Sequence, residues 1–225
     1  MLTQSTRTFG MAHREDTAMV KSGDYHDYVI KNGKLIGRFE EMYRVCEDPW
    51  PETEVDLEAN PCSTRSREIL AAHGYKSVLS IGSGKGLHLN WLRKSCPDTR
   101  FFGCDVSETA VEHSKARYPQ LEVEVGGPLA VLDGSRTYDL VIFREVVWYV
   151  LSEWETICRR LKEAYTGTSV LVELTFYDDQ TYGNDHFDGP DEFVTRFPFE
   201  VREVLRHHLT RLQREGMLMV HGDIL

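Results

Sequence analysis

No apolar run in the chain approaches the roughly 20 residues needed to span a bilayer, so no membrane partner is expected. The opening stretch, MLTQSTRTFGMAHRED, lacks the apolar segment of a secretory signal, which points to a cytoplasmic location. Cysteine is scarce. Cys46, Cys62, Cys96, Cys104 and Cys158 form an odd, widely spaced set with no CxxC, which argues against a disulfide framework or a zinc site and fits a reducing compartment. HxxxH spacing and clustered acid triads are also missing, so metal-independent chemistry is expected. Internal repeats and low-complexity tracts are absent. Positive charge is in short supply: 26 Lys and Arg face 36 Asp and Glu, a formal net charge of −10. Eight acids (Glu40, Glu41, Glu47, Asp48, Glu52, Glu54, Asp56, Glu58) crowd a stretch whose one base is Arg44. Such a surface repels phosphates, so nucleic acid is not an expected partner. Arg202, Arg206, Arg211 and Arg214 are the counter-signal, read as the solvated face of a helix. A small-molecule substrate is expected, and a cationic one would suit the acidic balance.

What is present suits one α/β domain, residues 63–225, behind an N-terminal extension, residues 1–62. Residues 1–20 are polar and without period, hence expected to be loose. Leu35 to Val45 has helical spacing, and Asp48-Pro49-Trp50-Pro51 ends any helix. Ser63 or Thr64 would cap a helix running to Ala72, stopped by Gly74. Strands then alternate with helices. Strands are expected at Ser77–Ile81, Arg100–Cys104, Leu121–Val125, Tyr138–Phe143 and Ser169–Phe176; helices at Gly86–Lys94, Ser107–Arg117 and Ser152–Ala164. That order implies a Rossmann-like, doubly wound, mainly parallel sheet with its ligand edge at the strand C-termini. Val201, Val204, Leu205, Leu209 and Leu212 fit one face of a helix over Pro198–Arg214. Met217–Val220 is expected as a sixth strand.

The densest signal is VLSIGSGKGLHLNWL, a buried strand running into Gly82, Gly84 and Gly86 and then a helix. Glycines allow positive φ and close approach of a ligand, and the helix start offers free N–H groups. A dinucleotide fingerprint would need glycine where Leu87 stands, and a P-loop would need Ser or Thr where Gly86 stands. In FFGCDVS, Asp105 ends the second strand, where a carboxylate can accept both ribose hydroxyls or cap the helix that follows.

GxGxG after the first strand, Asp105 with Val106 after the second, YDLVIFREVVWYV and TGTSVLVELTF together resemble the motifs of class I S-adenosylmethionine (SAM)-dependent methyltransferases, in order, over Lys76 to Phe176. The resemblance implies SAM as cofactor, held by Ser80, Gly82, Ser83, Gly84, Lys85, Gly86, Asp105, Val106, Gly127, Pro128, Leu129 and Arg144. DPWPETEVDLEANPCSTRSREIL is similar to the segment that leads into nodulation-type and related small-molecule N-methyltransferases. It implies that Trp50 helps close the SAM pocket; packing the extension onto the domain is its other role. Two positions depart from the pattern. Ser80 stands where the family usually has Glu or Asp, and Val125-Gly126-Gly127-Pro128-Leu129 lacks the acid that often meets adenine.

The family's fold has seven strands, and six are legible here; a partner subunit in a homodimer is one way to supply the seventh. The methyl of a sulfonium is already electrophilic, so positioning a nucleophile does most of the work. Glu145 is the candidate to orient a donor N–H or O–H, or else a surface carboxylate paired with arginine. His186 is the candidate base, or else a solvent-exposed loop histidine. Trp148, Tyr149 and Tyr177 could wall the acceptor pocket or belong to the core. Tyr25, His26 and Tyr28 could form a lid or simply pack. Glu173 inside an apolar strand is unusual. Nitrogen is favoured over oxygen as the acceptor, and a catalytically silent, methyltransferase-like binding protein is the alternative.

Overall fold

The computed structural model describes residues 27–177, 180–208 and 215–225. Tyr25, His26, Leu209, Arg211, Leu212 and Arg214 lie outside them. The described chain opens with a small hairpin, β1 (Ile30–Lys31) and β2 (Lys34–Leu35), followed by helices α1 (Phe39–Val45), α2 (Glu54–Ala59) and α3 (Pro61–His73). Then come β3 (Ser77–Ile81), α4 (Leu87–Ser95), β4 (Arg100–Asp105), α5 (Glu108–Arg117), β5 (Glu122–Val125) and the single turn α6 (Pro128–Val131). The last part holds β6 (Leu140–Arg144), α7 (Trp154–Ala164), β7 (Ser169–Tyr177), α8 (Pro190–Thr195), β8 (Glu200–His208) and β9 (Glu215–Asp223).

Seven strands form one sheet in the order β5-β4-β3-β6-β7-β9-β8. The first five are parallel, and β9 runs antiparallel to both β7 and β8. β3 is central, with β4 on one side and β6 on the other, so the order reverses at the end of β3. Ligands of open α/β sheets bind at such a crevice.

The central strands are apolar on both faces, as a sheet covered by helices requires. Leu79, Ile81, Val141, Phe143, Val170 and Val172 pack on one side with Trp154, Ile157 and Leu161 of α7. Val78, Leu140, Ile142 and Leu171 pack on the other with Ile69 and Leu70 of α3 and Leu89 and Leu92 of α4. All five cysteines are free and buried.

Three expectations are corrected. First, Asn60, not Ser63 or Thr64, caps α3: its Oδ1 accepts from the N–H of Cys62 (2.9 Å) and Ser63 (3.2 Å), and Pro61 opens the helix. α3 therefore runs across the boundary expected at 62/63. Second, Leu35 belongs to β2, and the helix begins at Phe39. Third, the segment read as a helix from Pro198 carries β8. The run EVREVLRHH carries helical spacing at Val201, Val204 and Leu205, yet eight residue pairs with β9, interrupted by a bulge between Val201 and Glu203, make it a strand. The seventh strand is thus the chain's own. A chain of hydrogen bonds ties the hairpin down: Tyr75 Oη donates to Ser169 Oγ (3.0 Å), which donates to Asp223 Oδ1 (2.8 Å), and Arg202 Nε meets Asp223 Oδ2 at 2.7 Å.

Candidate active site

At the crevice, β3 leaves the sheet through Gly82, Gly84 and Gly86, with φ of +65°, +52° and +80°. Positive φ at three alternate residues turns the chain sharply into α4, and only glycine adopts it freely. A side chain would also lack room. A Cβ at Gly82 would lie 2.6 Å from Val146 Cγ2, and one at Gly84 2.9 Å from Tyr43 Oη. Ser83 has its N–H on Cys104 O (2.8 Å), and its side chain turns inward against Gly103. Its carbonyl accepts from Gly86 N (2.9 Å), so both of its backbone groups serve to hold the turn.

Asp105 is buried at the end of β4 beside this turn. Its Oδ2 accepts from Gly84 N (2.9 Å) and its Oδ1 from Ser107 N (3.0 Å). Burial pushes its carboxyl above the ordinary value, and the bonds from Ser107 and Gly84 counteract that rise. The Val106 N–H bonds the same carboxylate, and of its four lone-pair sites one is left for a further donor. Around Asp105 the surface is apolar: Val106 and Val125 are half exposed, at 53% and 52%. Gly126 donates to Asp105 O (2.9 Å), and Gly127 leads into α6 at Pro128. The residues thus fit an adenosyl group: a carboxylate for the ribose, a shelf for a flat ring, and side-chain-free backbone for the rest.

The segment Phe39–Ala59 straps over the turn. Tyr43 Oη lies against Gly84 and accepts from Trp50 Nε1 (3.1 Å). Tyr149 packs on Phe39 (5.1 Å) and Trp50 (6.2 Å). Tyr28 packs with Val29, Met42 and Tyr43 on the same cluster. Lys85 Nζ bonds to Glu47 O, so this lysine faces the strap. The acids that seemed a plain negative surface have named partners: Glu40 on α5, Glu54 on Lys94, Asp56 on Thr53, and Glu58 on Arg67 and Trp91.

Glu40 accepts from Ser107 Oγ (2.7 Å), Thr109 N (3.1 Å) and Thr109 Oγ1 (2.8 Å), closing the N-terminus of α5. These bonds lower its carboxyl from 4.5 to about 2. A depressed carboxyl stabilises above its unfolded value and loses that effect as pH falls through the folded one. Urea midpoints of the wild type and Glu40→Gln should therefore differ at neutral pH and converge between pH 4.5 and 2.

At the ends of β6 and β7 the geometry is polar. Glu145 has φ of +53°, a conformation that costs a non-glycine residue on the order of 1–2 kcal/mol. Its N–H bonds to Glu173 O (2.8 Å), and its carboxylate accepts from Thr175 N (3.1 Å) and Thr175 Oγ1 (2.7 Å). Burial raises its carboxyl, opposed by Arg144. Arg144 NH1 and NH2 grip Glu52 (3.0 Å from NH1), and its Nε meets Glu173 Oε2 at 3.2 Å. Ser63 Oγ also donates to Glu173 Oε2 (2.9 Å). Ser80 is buried in β3, on the face that also carries Arg144.

Trp148 is a core residue: Nε1 donates to Thr175 O (2.9 Å), and the ring packs on Phe176 (5.0 Å). It backs Gly183, which lines a cleft of about 430 Å³ with Lys34, Leu35, Tyr182, Asn184 and His186. His186 is half exposed there; among the described residues no hydrogen bond or ion pair joins it to Glu145. Tyr177 is half exposed at the end of β7. Among the described residues no group of three His, Cys, Asp or Glu is placed to hold a metal, and no helix is long and apolar enough to cross a membrane. Sequence reasoning missed Tyr43, Glu40 and Glu52. The only trace of them was the aromatic and acidic richness of the strap.

Residues 78–166 match a family described as a methyltransferase domain. No curated protein matches the chain. Among solved structures, the N-methyltransferase NodS from Bradyrhizobium japonicum WM9, in complex with S-adenosyl-L-homocysteine, superposes with a TM-score of 0.61 at 16% identity. That match covers 83% of this chain and 97% of the other. Geranyl diphosphate C-methyltransferase from Streptomyces coelicolor A3(2), with Mg2+, geranyl diphosphate and S-adenosyl-L-homocysteine, has a TM-score of 0.53 at 12% identity, over 78% of this chain and 86% of its own. The methyltransferase domain of bacterial CtHen1 gives 0.54 at 18% identity, over 73% and 98%.

Proposed function

From its fold and from the methyltransferase domain that residues 78–166 match, we infer that the chain is a class I methyltransferase and that it transfers a methyl group from SAM to a nitrogen of a small molecule. The observation that carries this reading is the buried Asp105 carboxylate bonded to the N–H of Gly84. It unites the ribose acceptor and the glycine turn in one receptor. SAM supplies an electrophilic methyl carbon. Asp105 would accept a ribose hydroxyl, the turn from Gly82 to Gly86 would let the ligand approach a backbone bare of side chains at its glycines, and Val106 with Gly127, Pro128 and Leu129 would flank the base.

The acceptor enters beside β7, through the cleft of Lys34, Tyr182 and His186, whose volume suits a small molecule. A protonated amine has no lone pair to attack with, so the acceptor has to lose a proton. Glu145, held by Thr175 with its carboxyl raised by burial, receives the N–H as hydrogen-bond acceptor. His186 at the rim takes protons to solvent. The acidic balance of the chain, with 36 Asp and Glu against 26 Lys and Arg, suits a cationic amine and favours nitrogen over oxygen. No step needs a metal ion.

Calorimetry should give micromolar affinity for SAM and S-adenosyl-L-homocysteine. A screen of amines, amino sugars, phenols and thiols with labelled SAM should return a methylated amine, at a rate unchanged by a chelator. Absence of heat with either ligand would sink the reading. Binding with no product from any acceptor would instead make the chain a methyltransferase-like binding protein.

A further inference from the structure

Arg144 presents two different faces. Its Nε is fixed from behind: Glu173 Oε2 lies 3.2 Å away and is itself held by Ser63 Oγ at 2.9 Å. Glu173 is buried inside β7, and its other oxygen lies 3.7 Å from Nε2 of the buried His88, so this support belongs to the core. The outer face, NH1 and NH2, is a fork shaped for one carboxylate. Glu52 fills it from the strap.

The fork stands at the cofactor end of the sheet. Ile81 pairs with Phe143, so the next residue of each strand, Gly82 and Arg144, stand level. Val146, two residues on, touches the position of a Gly82 side chain. Arg144 therefore sits at the first glycine of the turn whose middle glycine, Gly84, is met by Asp105. A ligand lying along this turn with its ribose on Asp105 and carrying an amino-acid tail brings a carboxylate toward the Arg144 end. Ser80, on the same sheet face, adds no negative charge that would repel it.

We propose that Glu52 is a built-in stand-in for the cofactor's amino-acid carboxylate: it occupies the Arg144 fork in the free protein and yields it to SAM. The inference rests on the proposed function. Exchange of one carboxylate for another keeps Arg144 neutralised, while Glu173 holds the guanidinium in place throughout. It also loosens the strap. The N–H of Glu52 bonds to Trp50 O (2.7 Å), and Trp50 in turn holds Tyr43 over Gly84. Displacing Glu52 pulls on the aromatic cover of the glycine turn, so occupancy of the fork and closure of the strap are coupled.

The test removes the competitor and leaves the receptor. Glu52→Gln keeps the shape but loses the charge, at a side chain that is 28% exposed. Calorimetry compares it with the wild type on two ligands: S-adenosyl-L-homocysteine, and its decarboxylated analogue, which retains adenosine, sulfur and amine. Glu52→Gln is expected to raise affinity for the first by about tenfold and not to raise affinity for the second. Unchanged or weaker binding of S-adenosyl-L-homocysteine, or an equal gain for both ligands, overturns the exchange. It would make Glu52 a plain latch and leave the proposed function standing. Failure of both proteins to bind S-adenosyl-L-homocysteine overturns that function and the exchange together.

Discussion

Asp105→Asn is expected to weaken binding of SAM and of S-adenosyl-L-homocysteine by up to about 100-fold, because a hydrogen bond to a charged group contributes about 1.5–3 kcal/mol and the one from the ribose is lost or weakened. The side chain also has a structural part. Its two oxygens hold Gly84 N and Ser107 N, one on the glycine turn and one ahead of α5. An amide has a single acceptor oxygen, so one of those N–H groups would face an NH2. The turn itself loosens, and cofactor affinity falls further than stability does. Calorimetric titration beside a urea melt separates the two. A change within a factor of three in affinity would show that the ribose does not sit on Asp105.

Arg144→Met should destabilise the fold by about 3–5 kcal/mol, the range for removing one partner of a buried ion pair. The loss leaves Glu173 in the interior with only Ser63 as donor, and frees Glu52 from the sheet. The sign follows from the asymmetry of burial: removing the cation strands a carboxylate that water cannot reach. The double variant Arg144→Met with Glu173→Gln should recover much of the loss, since it removes the stranded charge as well. Urea midpoints read both effects. A single variant within about 0.5 kcal/mol of the wild type, the usual range for surface changes, would contradict the burial of this pair.

How much of this was legible beforehand varies along the chain. The parallel core was open to reading because its strands are short apolar runs buried on both faces and punctuated by caps and glycines: Ser77–Ile81, Arg100–Asp105 and Ser169–Tyr177 fall within a residue or so of expectation. The glycine turn was legible because positive φ leaves a direct mark in residue type. The C-terminal hairpin was not, because Val201, Val204 and Leu205 carry helical spacing, and the strand rests on pairing with β9 across a bulge between Val201 and Glu203. The roles of individual acids were hidden too. A run of eight carboxylates reads as net charge, although Glu40, Glu52 and Glu58 are each bound to a different helix or strand of the domain.

By itself, then, the order of residues determined the class of sheet, the place of the glycine turn and the acid beside it, since these depend on local backbone needs and short spacing. Tertiary structure alone decided what surrounds them. It set Tyr43 over Gly84, turned Ser83 inward, gave Arg144 to Glu52 and Glu173, and, of the two places open to Trp148, chose the core. Those outcomes turn on which groups meet across distances of up to 92 positions of sequence, and contacts at that range leave no periodic trace in the chain.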